Sequence, residues 1–159
     1  MNDIVTIVTD LDELADSPPS IKYDVITLWH VLEHAPNYDT YIEKLKSLLT
    51  EQGHLFVAVP NYNSYDGKHY KEFWAAYDVP RHLWHFSQHA IHKIFQKHQI
   101  HVCKIIPMYF DAYYVSLLSE KHKTGKSNIL KAFWFGFLSN WKARKSSEYS
   151  SLIYILKKD

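Results

Sequence analysis

Glycine is scarce in this chain: four in 159 residues, at positions 53, 67, 125 and 136. No glycine-rich phosphate cradle can be assembled from them. Gly125-Lys126-Ser127 ends like a P-loop, but that loop needs a second glycine five residues earlier, and position 120 is Glu. Cysteine is scarcer still. Cys103 stands alone, so no internal disulfide forms, which fits a reducing compartment. Its neighbours Val102, Ile105 and Ile106 suggest a buried strand and an inert thiol. No apolar run reaches the roughly 18 residues of a membrane span. No basic-then-apolar leader opens the sequence, so a cytoplasmic location is expected. Net charge is +1, which implies no broad attraction to nucleic acid.

What the chain has in excess is rings. Aromatics make up 16% of it, with 12 Tyr and 5 Trp, enough to fill a core and wall a pocket. Its length suits one domain, expected over 1–159. The last third is locally basic at Lys121, Lys123, Lys126, Lys131, Lys142, Arg144 and Lys145, a pattern that usually marks a solvated face.

Hydrophobic periodicity divides the chain into short elements. Ile4 to Val8 reads as a strand, and Ser17-Pro18-Pro19-Ser20 breaks it. Val25 to Leu28 has the pattern of a strand covered on both faces. A helix opens near Asp39, carries Tyr41, Ile42, Leu45, Leu48 and Leu49, and ends at Gly53 as its C-cap. Leu55 to Val59 is a second buried strand. Residues 61–86 form a long, aromatic, irregular loop of the kind that is usually functional. Ser87 caps a helix bearing Ala90, Ile91, Ile94 and Phe95. Val102 to Ile106 is a strand. Tyr109 to Leu118 and Ile129 to Trp141 are helical, and the second gathers Ile129, Leu130, Phe133, Trp134, Phe137, Leu138 and Trp141 on one wide apolar face. Leu152 to Leu156 closes the series. The alternation predicts an α/β fold with a parallel sheet, whose ligands bind beyond the strands' carboxyl ends. Those ends are Trp29-His30 and Pro60-Asn61.

Three phrases carry more than pattern: Tyr23 to His34, reading YDVITLWHVLEH; Gly53 to Asn61, reading GHLFVAVPN; and Asp78 to Ser87, reading DVPRHLWHFS. His30-Val31-Leu32-Glu33-His34 matches one zinc-peptidase spacing, but that chemistry needs a helix and a third ligand. Pro36 follows at once, so a zinc hydrolase ranks far behind. Together the phrases resemble the second half of a class I S-adenosylmethionine-dependent methyltransferase, above all the quinone-biosynthesis O-methyltransferases.

The resemblance implies a partial Rossmann-like sheet in a three-layer α/β/α sandwich, lacking the first two strands of the family fold. It implies S-adenosylmethionine as cofactor and a small molecule as methyl acceptor. Leu28, Trp29 and His30 would border the cofactor, and Asp10 and Leu11 would meet its adenine. His34 becomes the candidate general base, and Glu33, Arg81 and His82 the candidate acceptor-binding residues. Quinone-pathway relatives carry an acid where this chain has His30, and some hold a divalent metal there. A metal at His30, Glu33 and His34 is left open, and no metal ligand is assigned. Trp74 and Trp84 are expected as pocket walls, joined by Tyr65, Tyr70 and Tyr109, beneath a helical lid at 109–145.

The family's acidic, glycine-rich loop and its ribose-binding acid have no counterpart in this sequence. Weak or no cofactor binding is therefore expected of this chain alone. A non-catalytic interaction module derived from the same fold is the competing reading. Loss of the first two strands would leave Val25 to Leu28 without a partner, so Ile4 to Val8 is expected to pair with it, within the chain or by exchange in a homodimer.

Overall fold

The computed structural model describes residues 22–158. Strand β1 (Tyr23–Trp29) holds the β-branched run Val25-Ile26-Thr27, residues that favour a pleated surface. Helix α1 (Tyr38–Leu48) starts where the Asn37 side chain accepts a hydrogen bond from the Thr40 amide, and it buries Ile42, Leu45 and Leu48. Strand β2 (Leu49–Pro60) follows with no connecting residue. Beyond it come the short helix α2 (Tyr65–Tyr70), two single helical turns at Lys71–Phe73 and Ala75–Tyr77, and α3 (Gln88–Lys97). Ser87 caps α3 by accepting from the Ala90 amide, as expected. Strand β3 (Ile100–Pro107), helices α4 (Asp111–Thr124) and α5 (Ile129–Ser146), and strand β4 (Ser151–Lys158) complete the described chain.

The sheet order is β1-β2-β4-β3. β1 and β2 run parallel, with Ile26 beside Leu55 and Trp29 beside Ala58. β4 inserts between β2 and β3 and is antiparallel to both. This is the expected α/β class, but the sheet is mixed and not parallel throughout, because β4 runs against both of its neighbours. One core lies where Ile42 and Leu45 of α1 and Ile91 and Phe95 of α3 meet Leu55, Val57, Val59, Tyr154 and Leu156 of the strands. Each such side chain, fully buried, contributes roughly 1.5–3 kcal/mol.

Four expectations need correction. Gly53 is not a helix cap: it lies inside β2, and α1 stops at Leu48. A Cβ at Gly53 would lie 2.9 Å from Leu49 Cδ2 and 3.0 Å from the Tyr23 carbonyl oxygen, so close strand approach requires the glycine. β1 is not covered on both faces. Val25 is 56% exposed and only Leu28 is buried, because β1 is the outermost described strand. Cys103 is exposed rather than buried, since β3 is the opposite outermost strand. Tyr70 and Trp74 do not wall an open pocket. They form a second buried core with Ala75, Ala76 and Val115, against which Phe135 packs. The proposed pairing of Ile4 to Val8 lies outside the described residues.

Helices α4 and α5 form a hairpin turned at Gly125, which adopts φ +74° and whose amide reaches the Lys121 carbonyl. The residues it buries are mostly small: Ala112, Ser116 and Ser119 on α4, beside Val115 and Glu120, and Ala132, Gly136, Ser139 and Ala143 on α5. A Cβ at Gly136 would lie 2.8 Å from the Tyr113 Cα, so the two backbones could not approach this closely with any larger residue there. Asp66 ties the hairpin to the rest. Its carboxyl group accepts from Trp74 Nε1–H at 2.8 Å, Ser139 Oγ–H at 2.6 Å and Ser150 Oγ–H at 2.6 Å.

Candidate functional site

The chain leaves β1 at Trp29 and turns through His30, which adopts φ +54°. The His30 amide still bonds the Ala58 carbonyl at 3.0 Å, so the turn starts flush with the sheet's carboxyl edge. A single helical turn at Leu32–His34 follows, then Ala35 in extended conformation. Pro36 prevents a longer helix by disfavouring the helical conformation of the residue before it. The His-x-x-Glu-His phrase thus lies on a turn, not on the helix a zinc peptidase needs.

The long loop is sewn onto this turn. The Glu33 carbonyl accepts from the amides of Leu83, at 2.8 Å, and Trp84, at 3.2 Å. Trp84 Nε1–H donates to the Ala35 carbonyl at 2.7 Å, and its ring meets Tyr38 edge-on. His34 Nδ1 lies 3.0 Å from the Arg81 carbonyl. A carbonyl only accepts, so Nδ1 carries the proton, and Nε2 of the neutral ring keeps its lone pair. His82 is set the same way, with Nδ1 donating to the Ala76 carbonyl at 2.9 Å. The two rings meet edge to face at 4.6 Å.

Glu33 is wholly buried between them and His30. Its Oε1 lies 3.2 Å from His30 Nδ1, and its Oε2 has no partner among the described residues. A buried, half-satisfied carboxylate is costly, and such an atom calls for a water, an ion or a catalytic role to account for it. Glu33, His34 and His82 each offer one ligand atom, all within 4.8 Å of one another. A carboxylate with two imidazoles, each with its Nδ1 held by a carbonyl, suits a first-row divalent ion, although His82 Nε2 also lies 3.8 Å from Asp78 Oδ2. His30 is not part of this group. Its ring is occupied on both sides, by Glu33 and by Asp111 Oδ2 at 3.3 Å.

That double pairing raises the His30 pKa from 6.5 to about 9. The hydrogen bond to Asp111 contributes most, then the one to Glu33, against the cost of burial. His30 is therefore a cation at neutral pH and no base. It latches the start of α4 to the end of β1. The raised value fixes the sign of the pH effect: the latch stabilises the fold fully below about 6.5 and loses that effect as pH rises through about 9. The side chain is 35% exposed, so solvent screening holds the gain to about 1 kcal/mol. Asp111→Asn should flatten the fall in unfolding free energy between about pH 6.5 and pH 10. Equal slopes for the variant and the parent chain would contradict this.

Arg81 is mostly exposed, and its guanidinium is spent on Asp78 in the same loop, with Nη2 to Oδ1 at 2.7 Å. Its backbone carbonyl, not its side chain, is what reaches the site. His85 Nε2 donates to the Tyr77 carbonyl at 2.9 Å, and Tyr65 lies under Lys142 Nζ at 3.9 Å. Tyr109 is half exposed and meets Tyr149 edge-on. Leu28 is buried and Trp29 is 51% exposed at the sheet's edge. Asp10 and Leu11 lie outside the described residues. Two residues not foreseen are Asp111 and Asp66. Asp111 has no local signal beyond an acid in a first helical turn, and its partner is 81 positions away.

A ubiquinone biosynthesis O-methyltransferase of Glaesserella parasuis serovar 5 (strain SH0165) is 48% identical over 40 residues, 25% of this chain and 17% of that protein. A possible histamine N-methyltransferase of Thermotoga maritima, described as dependent on S-adenosylmethionine, superposes with TM-score 0.57 at 13% identity. The match covers 88% of this chain and 59% of that one. A methyltransferase of Archaeoglobus fulgidus with the same dependence gives TM-score 0.56 at 14% identity, over 96% of this chain and 66% of that one. The chain thus spans less than two thirds of each of these relatives. The model of a methyltransferase domain matches residues 2–104, well over half of the sequence, and the chain belongs to that methyltransferase family.

Proposed function

We propose that this chain forms the acceptor side of an enzyme that moves a methyl group from S-adenosylmethionine to an oxygen, or another small acceptor atom, of a small molecule. The observation that supports this is His34. Its Nδ1–H is fixed on the Arg81 carbonyl, which leaves the lone pair on Nε2, and the residue lies beside buried Glu33. An acceptor hydroxyl placed there gives its proton to Nε2 as the oxygen becomes the nucleophile. Glu33 and the His82 ring bound the space that hydroxyl enters and place it by shape, and orientation of the reacting atom is itself a large part of the rate. Glu33, His34 and His82 would hold a divalent ion if one binds there, which would supply a Lewis acid in place of the base.

The cofactor fits less well. Neither of its polar ends finds a grip among the described residues. The four glycines form no methionine-cradling loop, and no acid follows such a loop to hold the ribose. No step through the cofactor is therefore assigned to these residues. Calorimetry of the chain alone with S-adenosylmethionine or its demethylated product should give weak binding or none. Micromolar binding with no second polypeptide present would overturn that expectation. A protein that unites this chain with a glycine-loop half should bind the cofactor and methylate phenolic or enolic acceptors. Tight cofactor binding without transfer to any acceptor would favour the interaction-module reading.

A further inference from the structure

Helix α5 is inside out. Its buried positions are Ala132, Gly136, Ser139 and Ala143, while Leu130 is 84% exposed, Phe133 62%, Trp134 56%, Phe137 45% and Trp141 57%. At roughly 100° per residue the five large side chains fall within one arc, opposite the small ones. The wide apolar face legible in the sequence is thus real, but it points away from the protein. Phe110, 86% exposed at the foot of α4, extends the apolar surface. Contiguous apolar surface of this kind marks an interaction site, whereas single exposed rings do not.

The charge around it has one sign. From Tyr109 to Ser147 there are seven Lys and Arg residues and two carboxylates. Glu120 is buried and Asp111 is paired with His30, so the solvent-facing charge is positive. Lys145 and Lys131 lie along one edge of the aromatic arc, and Arg144 falls within it. Lys121, Lys123 and Lys126 crowd the hairpin's tip. A groove of about 440 Å³ between the helices is lined by Phe110, Phe137 and Trp141, with Arg144 among its walls. A guanidinium there suits a phosphate.

We propose that this hairpin face docks on an anionic lipid bilayer. Aromatic rings in an arc with basic residues within it and along one edge suit a helix lying in an anionic membrane interface. Protein interfaces, by contrast, are depleted in lysine. Small residues packing the two helices free the large ones for the acyl boundary, as in helices that associate within lipid. No helix among the described residues is long and apolar enough to cross a membrane, which fits surface docking.

Sedimentation of the full chain with phosphatidylcholine vesicles, with and without phosphatidylserine, tests this. Binding is expected to the anionic vesicles, to weaken with added salt, and to be slight on neutral ones. Replacing Phe133, Trp134 and Trp141 together by Ser should cut partitioning at least tenfold, roughly, by loss of apolar burial. Lys131→Ser with Lys145→Ser, which disturbs no buried contact, should cut it about twentyfold or more on anionic vesicles. This pair decides the matter should the aromatic variant misfold by circular dichroism. A folded chain that ignores anionic vesicles, or binds them equally after both lysines are removed, overturns the proposal. So does a dimer in sedimentation equilibrium that the aromatic variant abolishes while vesicles remain unbound, which would make the face a self-interface.

Discussion

Asp66→Ala should lower the unfolding free energy by about 3–5 kcal/mol, since each buried donor left without a partner costs about 1–3 kcal/mol. Three donors lose their acceptor at once: the Trp74 indole and the hydroxyls of Ser139 and Ser150, all buried. The hydroxyls can rotate toward other acceptors, which keeps the sum below three full penalties. The indole cannot, because Trp74 is locked among Tyr70, Ala75, Ala76 and Val115. The loss is a large part of the roughly 5–15 kcal/mol that holds a domain together. Ser139→Ala removes one bond and its own hydroxyl, and should cost only about 1 kcal/mol. Urea unfolding measures both. A loss below about 1 kcal/mol for Asp66→Ala would mean that the carboxyl group is not the tie between loop, hairpin and β4.

His34→Ala should lower the turnover of a completed enzyme by about 10²–10⁴, the usual range for loss of a general base. The prediction rests on the fixed Nδ1–H and the open Nε2. His82→Gln should cost less, because it removes an orienting ring and leaves the base. If the imidazole takes the acceptor's proton, a more acidic acceptor, whose hydroxyl is already ionised at neutral pH, should depend on His34 far less. If His34 merely supports the loop, both acceptors should lose rate alike. A His34→Ala rate within a few-fold of the parent for every acceptor would withdraw the role.

The legible parts of this protein were those written in short-range chemistry. Ser87 caps α3 because a hydroxyl meets an amide three residues on, and the sequence carries that whole interaction. Val25 to Leu28 and Leu55 to Val59 read as strands because their side chains favour a pleated surface. The turn after β1 was legible too, since Pro36 forbids a longer helix. What failed depended on partners far along the chain. Gly53 looks like a helix cap on its own; only Tyr23, thirty positions earlier and pressed against it, makes it a strand residue. Trp74 looks like a pocket wall until Asp66, Val115 and Phe135 enclose it.

Helix α5 shows the limit most clearly. Its periodicity separates large from small residues correctly, but periodicity carries no sign. Which stripe faces inward was decided by the close approach of Gly136 to Tyr113, a contact no local pattern announces. In the candidate site, His34 and Glu33 lie with His82, which belongs to a separate phrase of the sequence, and not with His30. His30 was placed beside the cofactor by resemblance, yet its ring is committed to Asp111 and Glu33. Arg81 contributes a carbonyl where a guanidinium was expected.

The most direct test of the central claim is a count of labelled methyl groups. This chain is joined to, or mixed with, a polypeptide carrying the glycine-rich half of the domain, and supplied with methyl-labelled S-adenosylmethionine and a set of phenolic and enolic acceptors. The account predicts label on acceptor oxygen with the parent chain and a loss of about 10²–10⁴ with His34→Ala at unchanged cofactor affinity. Cofactor bound at full occupancy with no label on any acceptor, or label transferred equally well without His34, would contradict it.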